Sequence, residues 1–175
     1  MSKFELIKYP APVLRKPTET IKEIDAELIQ TADEMLTLMY EKNGVGLAGP
    51  QAGISKRIAV IDLREDHHPV YVLINPRVVK REGAVETEEG CLSLPEIFTD
   101  VKRAERVKVE YIDREGETRS IEAEGLFARA LQHEIDHLNG VLFIDRIGET
   151  RRRLLAAQLR ALTEEFEGKN GKHAH

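Results

Sequence analysis

A single cysteine, Cys91, stands in the 175 residues, so no intramolecular disulfide can form. No apolar run approaches the roughly 18 residues that a membrane helix needs. The opening, MSKFELIKYP, has no apolar centre and carries Glu5, so it does not read as a secretory signal. These absences together point to a reducing cytoplasm and to no membrane partner. Positive charge is not in excess. Twenty-six Lys and Arg stand against 31 Asp and Glu, and the formal net charge of -5 argues against DNA as a partner. Repeats, low-complexity tracts and dividing linkers are all missing. The chain is therefore expected to form one domain over residues 1–175, with a frayed tail at residues 168–175.

What is present has an ordinary balance, 41% hydrophobic and 33% charged, enough for a sizeable core. Pro10, Pro12 and Pro17 mark an extended, turning arm. From Asp25 to Asn43, Leu28, Ile29, Ala32, Met35, Leu36, Met39 and Tyr40 form a one-sided stripe, which predicts a helix. Asp25 suits its cap, Ile24 with Ile29 a hydrophobic staple, and Gly44 the left-handed position past its end. Strand patterns follow at Arg57 to Leu63 and at Val70 to Val79, the second broken by Pro76. Val107, Val109 and Tyr111 alternate with charged neighbours, the period of a half-buried strand. Asp113 to Gly116 reads as a hairpin turn and Thr118 to Glu124 as the returning strand. Further helices are expected over Leu126 to Asn139, stopped by Gly140, and over Glu149 to Phe166. The expected class is α+β, with antiparallel β-sheets packed around a central helix and with an N-terminal and a C-terminal helix beside it.

That central helix carries HExxH, from His133 to His137. Residues four apart share a helical face, so the two imidazoles can meet one ion. A catalytic metal site usually takes a third protein ligand. The peptidase pattern HExxHxxGxxH fails here, because Phe143 holds the last histidine position. Glu164, Glu165 and Glu167 read as the solvated face of the last helix. His67 and His68 fall in a polar loop, and His173 and His175 in the tail. Cys91, in the stretch EEGCLSLP, follows a glycine at the end of an extended polar segment, with Pro95 breaking the chain soon after. Spacing alone leaves it open between thiolate ligand and small core filler.

Three segments, GVGLAGPQ (Gly44 to Gln51), EGCLS (Glu89 to Ser93) and QHEIDHLNG (Gln132 to Gly140), resemble in order and separation the three signature motifs of the peptide deformylases. Gly49 stands where the first motif commonly has a second alanine, and is expected to loosen that loop. The resemblance implies that Cys91, His133 and His137 hold the metal, Fe2+ physiologically, with Zn2+, Ni2+ or Co2+ able to substitute. It implies that Glu134 is the general base and acid, and that the Gln51 amide and the Leu92 N–H stabilise the oxyanion. It implies removal of the N-formyl group from formyl-methionyl nascent polypeptides, with formate released.

The residue types suit that chemistry. A formamide is a poor electrophile and water a poor nucleophile, and a metal ion addresses both. Two neutral imidazoles and one thiolate leave one net positive charge on a divalent site. The glycines of GVGLAG read as an open backbone edge where an extended peptide could add as a strand, with Gly46 its contact. Val45, Leu126 and Ala130 are the expected walls of an apolar pocket for methionine. Asp136 lies off the metal face, either paired with Arg103 or left as a solvated carboxylate. Arg151, Arg152 and Arg153 open the last helix, either as a solvated start or as a transient ribosome contact. Their charge opposes the helix dipole there. Two rival readings stand beside this one: a small metallopeptidase that cleaves peptide bonds, and a metal-dependent binding module without catalysis.

Overall fold

The computed structural model describes residues 1–173. Helix α1 (Ala26–Glu41) begins where Asp25 accepts a hydrogen bond from the Leu28 N–H at 2.9 Å. It buries Leu28, Ala32, Met35, Leu38 and Met39, close to the expected stripe. The helix stops at Glu41, two residues earlier than its apolar pattern suggests. Asn43, at φ 58°, therefore takes the left-handed position foreseen for Gly44. Gly44 answers a different need. A Cβ on it would lie 2.6 Å from Leu92 Cδ1, so the loop passes close against the hairpin that carries Cys91, and a side chain there would have to displace that of Leu92.

Five strands form one antiparallel sheet: β1 (Gly46–Ala48), β2 (Ile58–Ile61), β3 (Tyr71–Glu82), β6 (Arg106–Ile112) and β7 (Thr118–Glu124), in the order β1-β2-β3-β6-β7. Strands β4 (Val85–Cys91) and β5 (Leu94–Arg103) pair as a separate hairpin. Strand β3 runs through Pro76 instead of breaking there. Asn75 adopts φ 51° and the β3–β6 register shifts between Ile74 and Arg77, so the proline sits at a bulge where no ladder N–H is required. Pro95 likewise lies inside β5, because a two-stranded ribbon has an unpaired edge that tolerates the missing donor.

Both faces of the central sheet are covered. Ile58, Val60, Val72 and Ile74 pack with α1, while Ile61 and Leu73 pack on the opposite side. There they meet Val107, Val109 and Tyr111 and the buried side of α2 (Gly125–Leu138), namely Ala128, Leu131 and Ile135. Alternation along each strand sends neighbours to opposite helices. The β4–β5 hairpin packs its own apolar face, Leu94, Ile97 and Val101, against Leu14, Phe143 and Leu155. Each of these lies outside the main sheet.

Gly140 closes α2 at φ 75°, and a Cβ there would sit 2.6 Å from the Arg15 carbonyl oxygen. Both facts forbid a side chain. Gly140→Ala is expected to lower stability by at least about 1–2 kcal/mol, the cost of a left-handed L-residue before any clash is added. A chemical-denaturation midpoint equal to that of the unaltered protein would contradict this.

The last helical region is two helices. Helix α3 (Glu149–Leu154) ends before Leu155, and α4 (Ala156–His173) follows. The break places Arg151, Arg152 and Arg153 in the final turn of α3, where positive charge suits the dipole. The expected fraying from residue 168 is not found up to His173. The helix continues there with Lys169 paired to Glu165 one turn back at 3.1 Å. Residues 174–175 of that expectation lie outside the described residues.

Candidate metal centre

Strand β4 ends at Cys91, and α2 presents His133 and His137 one turn apart. The three side chains converge: one donor atom from each lies within 4.8 Å of the others. Cys91 Sγ is 3.3 Å from His137 Nε2, and the two imidazole centroids are 4.9 Å apart. Cys91 also packs with the hairpin core, so its filler role and its place among the imidazoles coexist. His67, foreseen in a polar loop, is exposed, and His68 lies edge-on against Tyr71 and Phe127.

The donor set fits a transition-metal ion. One soft thiolate and two imidazoles is a common ligand combination for zinc or iron, and three protein ligands leave a position for water or substrate. Electrostatics agrees. Burial pulls the His133 imidazole down, but the hydrogen bonds it donates to the Cys91 sulfur and the Glu89 carboxylate outweigh it and hold the group well above its usual range. Burial and the neighbouring His133 push His137 well below its usual value, so it stays a neutral donor.

Glu134 lies beside this cluster, with Oε1 3.8 Å from His133 Nε2. Its Oε2 is buried without a hydrogen-bond partner. Burial pushes its carboxyl up to about 7, against the pull of His133 and Arg103. A carboxyl that titrates near neutrality is suited to moving protons. Gly46 lies against it: a Cβ there would be 3.0 Å from Glu134 Cδ.

Gln51 sits on a short 3-10 helix (Gly49–Ala52) just after β1 and is 1% exposed. Its Oε1 accepts from the Ala48 N–H at 2.9 Å, which aims Nε2 at the cluster, 3.6 Å from Cys91 Sγ and 3.1 Å from Ser93 Oγ. Gly49 does not loosen this loop. A Cβ there would lie 2.6 Å from the Lys56 carbonyl oxygen and 2.8 Å from that of Ile54, so the backbone closes tightly over it. Leu92 occupies the turn between β4 and β5.

An open cleft of about 490 Å³ leads to the cluster. Val45, Gly46, Leu126 and Ala130 line it, and so do Leu92 and the exposed ring of Phe98. Strand β1 is an edge of the five-stranded sheet and reaches this cleft through Gly46.

Three features escaped the sequence reading. Glu89 Oε1 lies 3.0 Å from His133 Nδ1, and hydrogen bonds from His133 and Arg103 overcome burial to hold its carboxyl down at about 2. Glu89 and Cys91 are two apart on one strand and both reach α2, although the β4–β5 register shifts between them. That spacing was a usable signal. Ser93, which accepts from Gln51 and donates to the Ile7 carbonyl at 2.7 Å, closes the second motif, but its contacts had no local signal. Neither did Phe98. The foreseen pair of Asp136 with Arg103 is present at 2.6 Å.

A family model described as polypeptide deformylase matches residues 3–153. The chain is 51% identical over 156 residues to the peptide deformylase of Thermodesulfovibrio yellowstonii, covering 88% of this chain and 94% of that protein. Its fold superposes on the peptide deformylase of Thermus thermophilus with a TM-score of 0.86 at 42% identity, over 93% of this chain and 98% of that one. For an Arabidopsis thaliana deformylase in complex with an inhibitor, the TM-score is 0.91 at 38% identity, covering 95% and 94%. Agreement with the family model and with these relatives over nearly the whole length establishes that this chain belongs to the polypeptide deformylase family.

Proposed function

We propose that this protein hydrolyses the N-formyl group of the N-terminal formylmethionine on newly made polypeptides, releasing formate and a free amine. One observation carries this reading: Cys91, His133 and His137 converge beside a buried carboxyl, Glu134, in a chain of this family. A divalent ion held by those three, ferrous iron with zinc, nickel or cobalt as substitutes, would supply an activated water and polarise the formyl carbonyl.

The chain's own residues do the rest. Glu134 takes a proton from the attacking water and delivers it to the departing nitrogen as the carbon–nitrogen bond breaks. The formyl oxygen gains negative charge in that step. Gln51 Nε2 and the Leu92 N–H donate to it, and neither adds a charge of its own. Because Ala48 fixes the Gln51 amide, that donor costs little reorganisation when the reaction occurs. The peptide backbone adds to the free edge of β1 at Gly46, which binds without reading sequence. Val45, Leu126 and Ala130 enclose the methionine side chain. Work on nascent chains implies a cytoplasmic setting and passing ribosome contact. Arg151, Arg152 and Arg153 bond to Glu86, the Ile144 carbonyl and Glu149, so that contact would not draw on a free arginine cluster.

The test offers iron-loaded protein, under anaerobic conditions, formyl-Met-Ala and Met-Ala peptides. Formate from the first and no free methionine from the second is the expected result. Methionine from the second without formate from the first would assign a peptidase, and neither product a binding module.

A further inference from the structure

The metal donors come from two separate elements. Cys91 ends a hairpin strand, and both histidines lie on α2. Something must hold these elements in register for the donors to meet. One buried chain of charges spans the gap. Glu89, two residues before Cys91, accepts from Arg103 twice, Nε to Oε2 at 2.9 Å and Nη2 to Oε1 at 3.0 Å. The third nitrogen, Nη1, donates to Asp136 Oδ2 at 2.6 Å. Asp136 sits on α2 between the two histidines. Arg146 closes the chain from outside, at 3.1 and 2.8 Å to the same carboxylate. A second tie runs beside it: the Gln132 amide, next to His133, pairs with both the N–H and the carbonyl of Ala104 at 2.9 Å each.

Stability alone is a poor reason for this arrangement. The Arg103 side chain is 4% exposed and its two carboxylate partners 10% each. Desolvating such groups costs about as much as their attraction returns, and apolar residues of similar volume often serve as well. Specifying a register is the better-attested use of buried charge. An arginine suits it, because a planar fork can grip two carboxylates at fixed angles where an ammonium cannot.

We propose that Arg103 and Asp136 are positioning residues of the metal centre, locking the hairpin that carries Cys91 to the helix that carries His133 and His137. Arg103 also fixes Glu89, which in turn sets the His133 ring through Nδ1. The inference rests on the metal centre of the proposed function, but its readout is ion binding, whereas formate release tests the activity. The two can fail separately.

The test compares zinc affinity, by competition with a chromophoric chelator, in the unaltered protein, Arg103→Lys and Asp136→Asn. Arg103→Lys keeps a charge but loses the fork. Loss of partners behind metal ligands typically weakens binding about 10- to 100-fold, and that range is expected for Arg103→Lys. Circular dichroism should stay native. The thiolate-to-metal absorption of the cobalt-loaded variant should shift, a change that a merely structural role would not produce. If Arg103→Lys does not fold, the near-isosteric Asp136→Asn is judged by the same measurements. Folded variants that hold zinc as tightly as the unaltered protein, or whose affinity falls only with the fraction folded, would overturn the proposal.

Discussion

Replacing Glu134 by alanine is expected to abolish turnover while leaving the ion in place. General acid–base groups typically contribute about 10²–10⁴-fold, which corresponds to about 3–5 kcal/mol of barrier. The structure explains why the loss should fall on rate. Glu134 Oε2 has no hydrogen-bond partner, and Oε1 is 3.8 Å from the nearest imidazole nitrogen. Removing the carboxyl therefore breaks no tight contact that orients Cys91, His133 or His137. Its carboxyl is buried against Gly46, and burial pushes its pKa up, so the native state gives up little by losing it. Glu134→Gln is the companion variant. It keeps the volume and removes only the proton-carrying ability, so both variants should be slow and both should retain metal. Formate release and metal content, measured on the same preparations, decide. A glutamine variant that turns over like the unaltered enzyme would remove Glu134 from its assigned role.

Cys91→Ser should act on the ion. A serine hydroxyl stays neutral at neutral pH and is a harder, weaker donor, so the site loses both an anion and its soft ligand. Loss of a partner behind a ligand already costs about 10- to 100-fold, and loss of the ligand itself should exceed that. The fold should survive. Cys91 is only half-buried at the rim of the hairpin core, whose bulk is Leu94, Ile97, Val101 and Phe143. Metal retained after dialysis against a chelator, read beside circular dichroism, checks this. Equal retention in the serine variant would mean that the sulfur is packing and not a ligand.

Short-range pattern made much of this molecule legible. The stripe of α1, the alternation of β6, the turn into β7 and the HExxH helix all follow from local periodicity, because each buries one face against a neighbour. The site residues were legible for a different reason: their types are chemically unusual, and three short motifs that share a family resemblance contain them. Prolines misled, since Pro76 and Pro95 break a central ladder but not a bulge or a ribbon edge. The charged arginine run misled because a helix ends at Leu154, just before the buried Leu155, and no local residue signals that end.

Taken alone, the amino-acid order determined which groups could do chemistry here: one thiol, two histidines a turn apart, a glutamate between them and a glutamine near glycines. Those follow from side-chain type and helical period, which are local properties. Only the tertiary structure decided that Cys91 meets His137 at 3.3 Å, that Glu89 reaches His133, and that Arg103 bridges hairpin and helix. These contacts join residues more than thirty positions apart, and folding brings them together by burying a sheet between two helices, an outcome that depends on the whole chain at once.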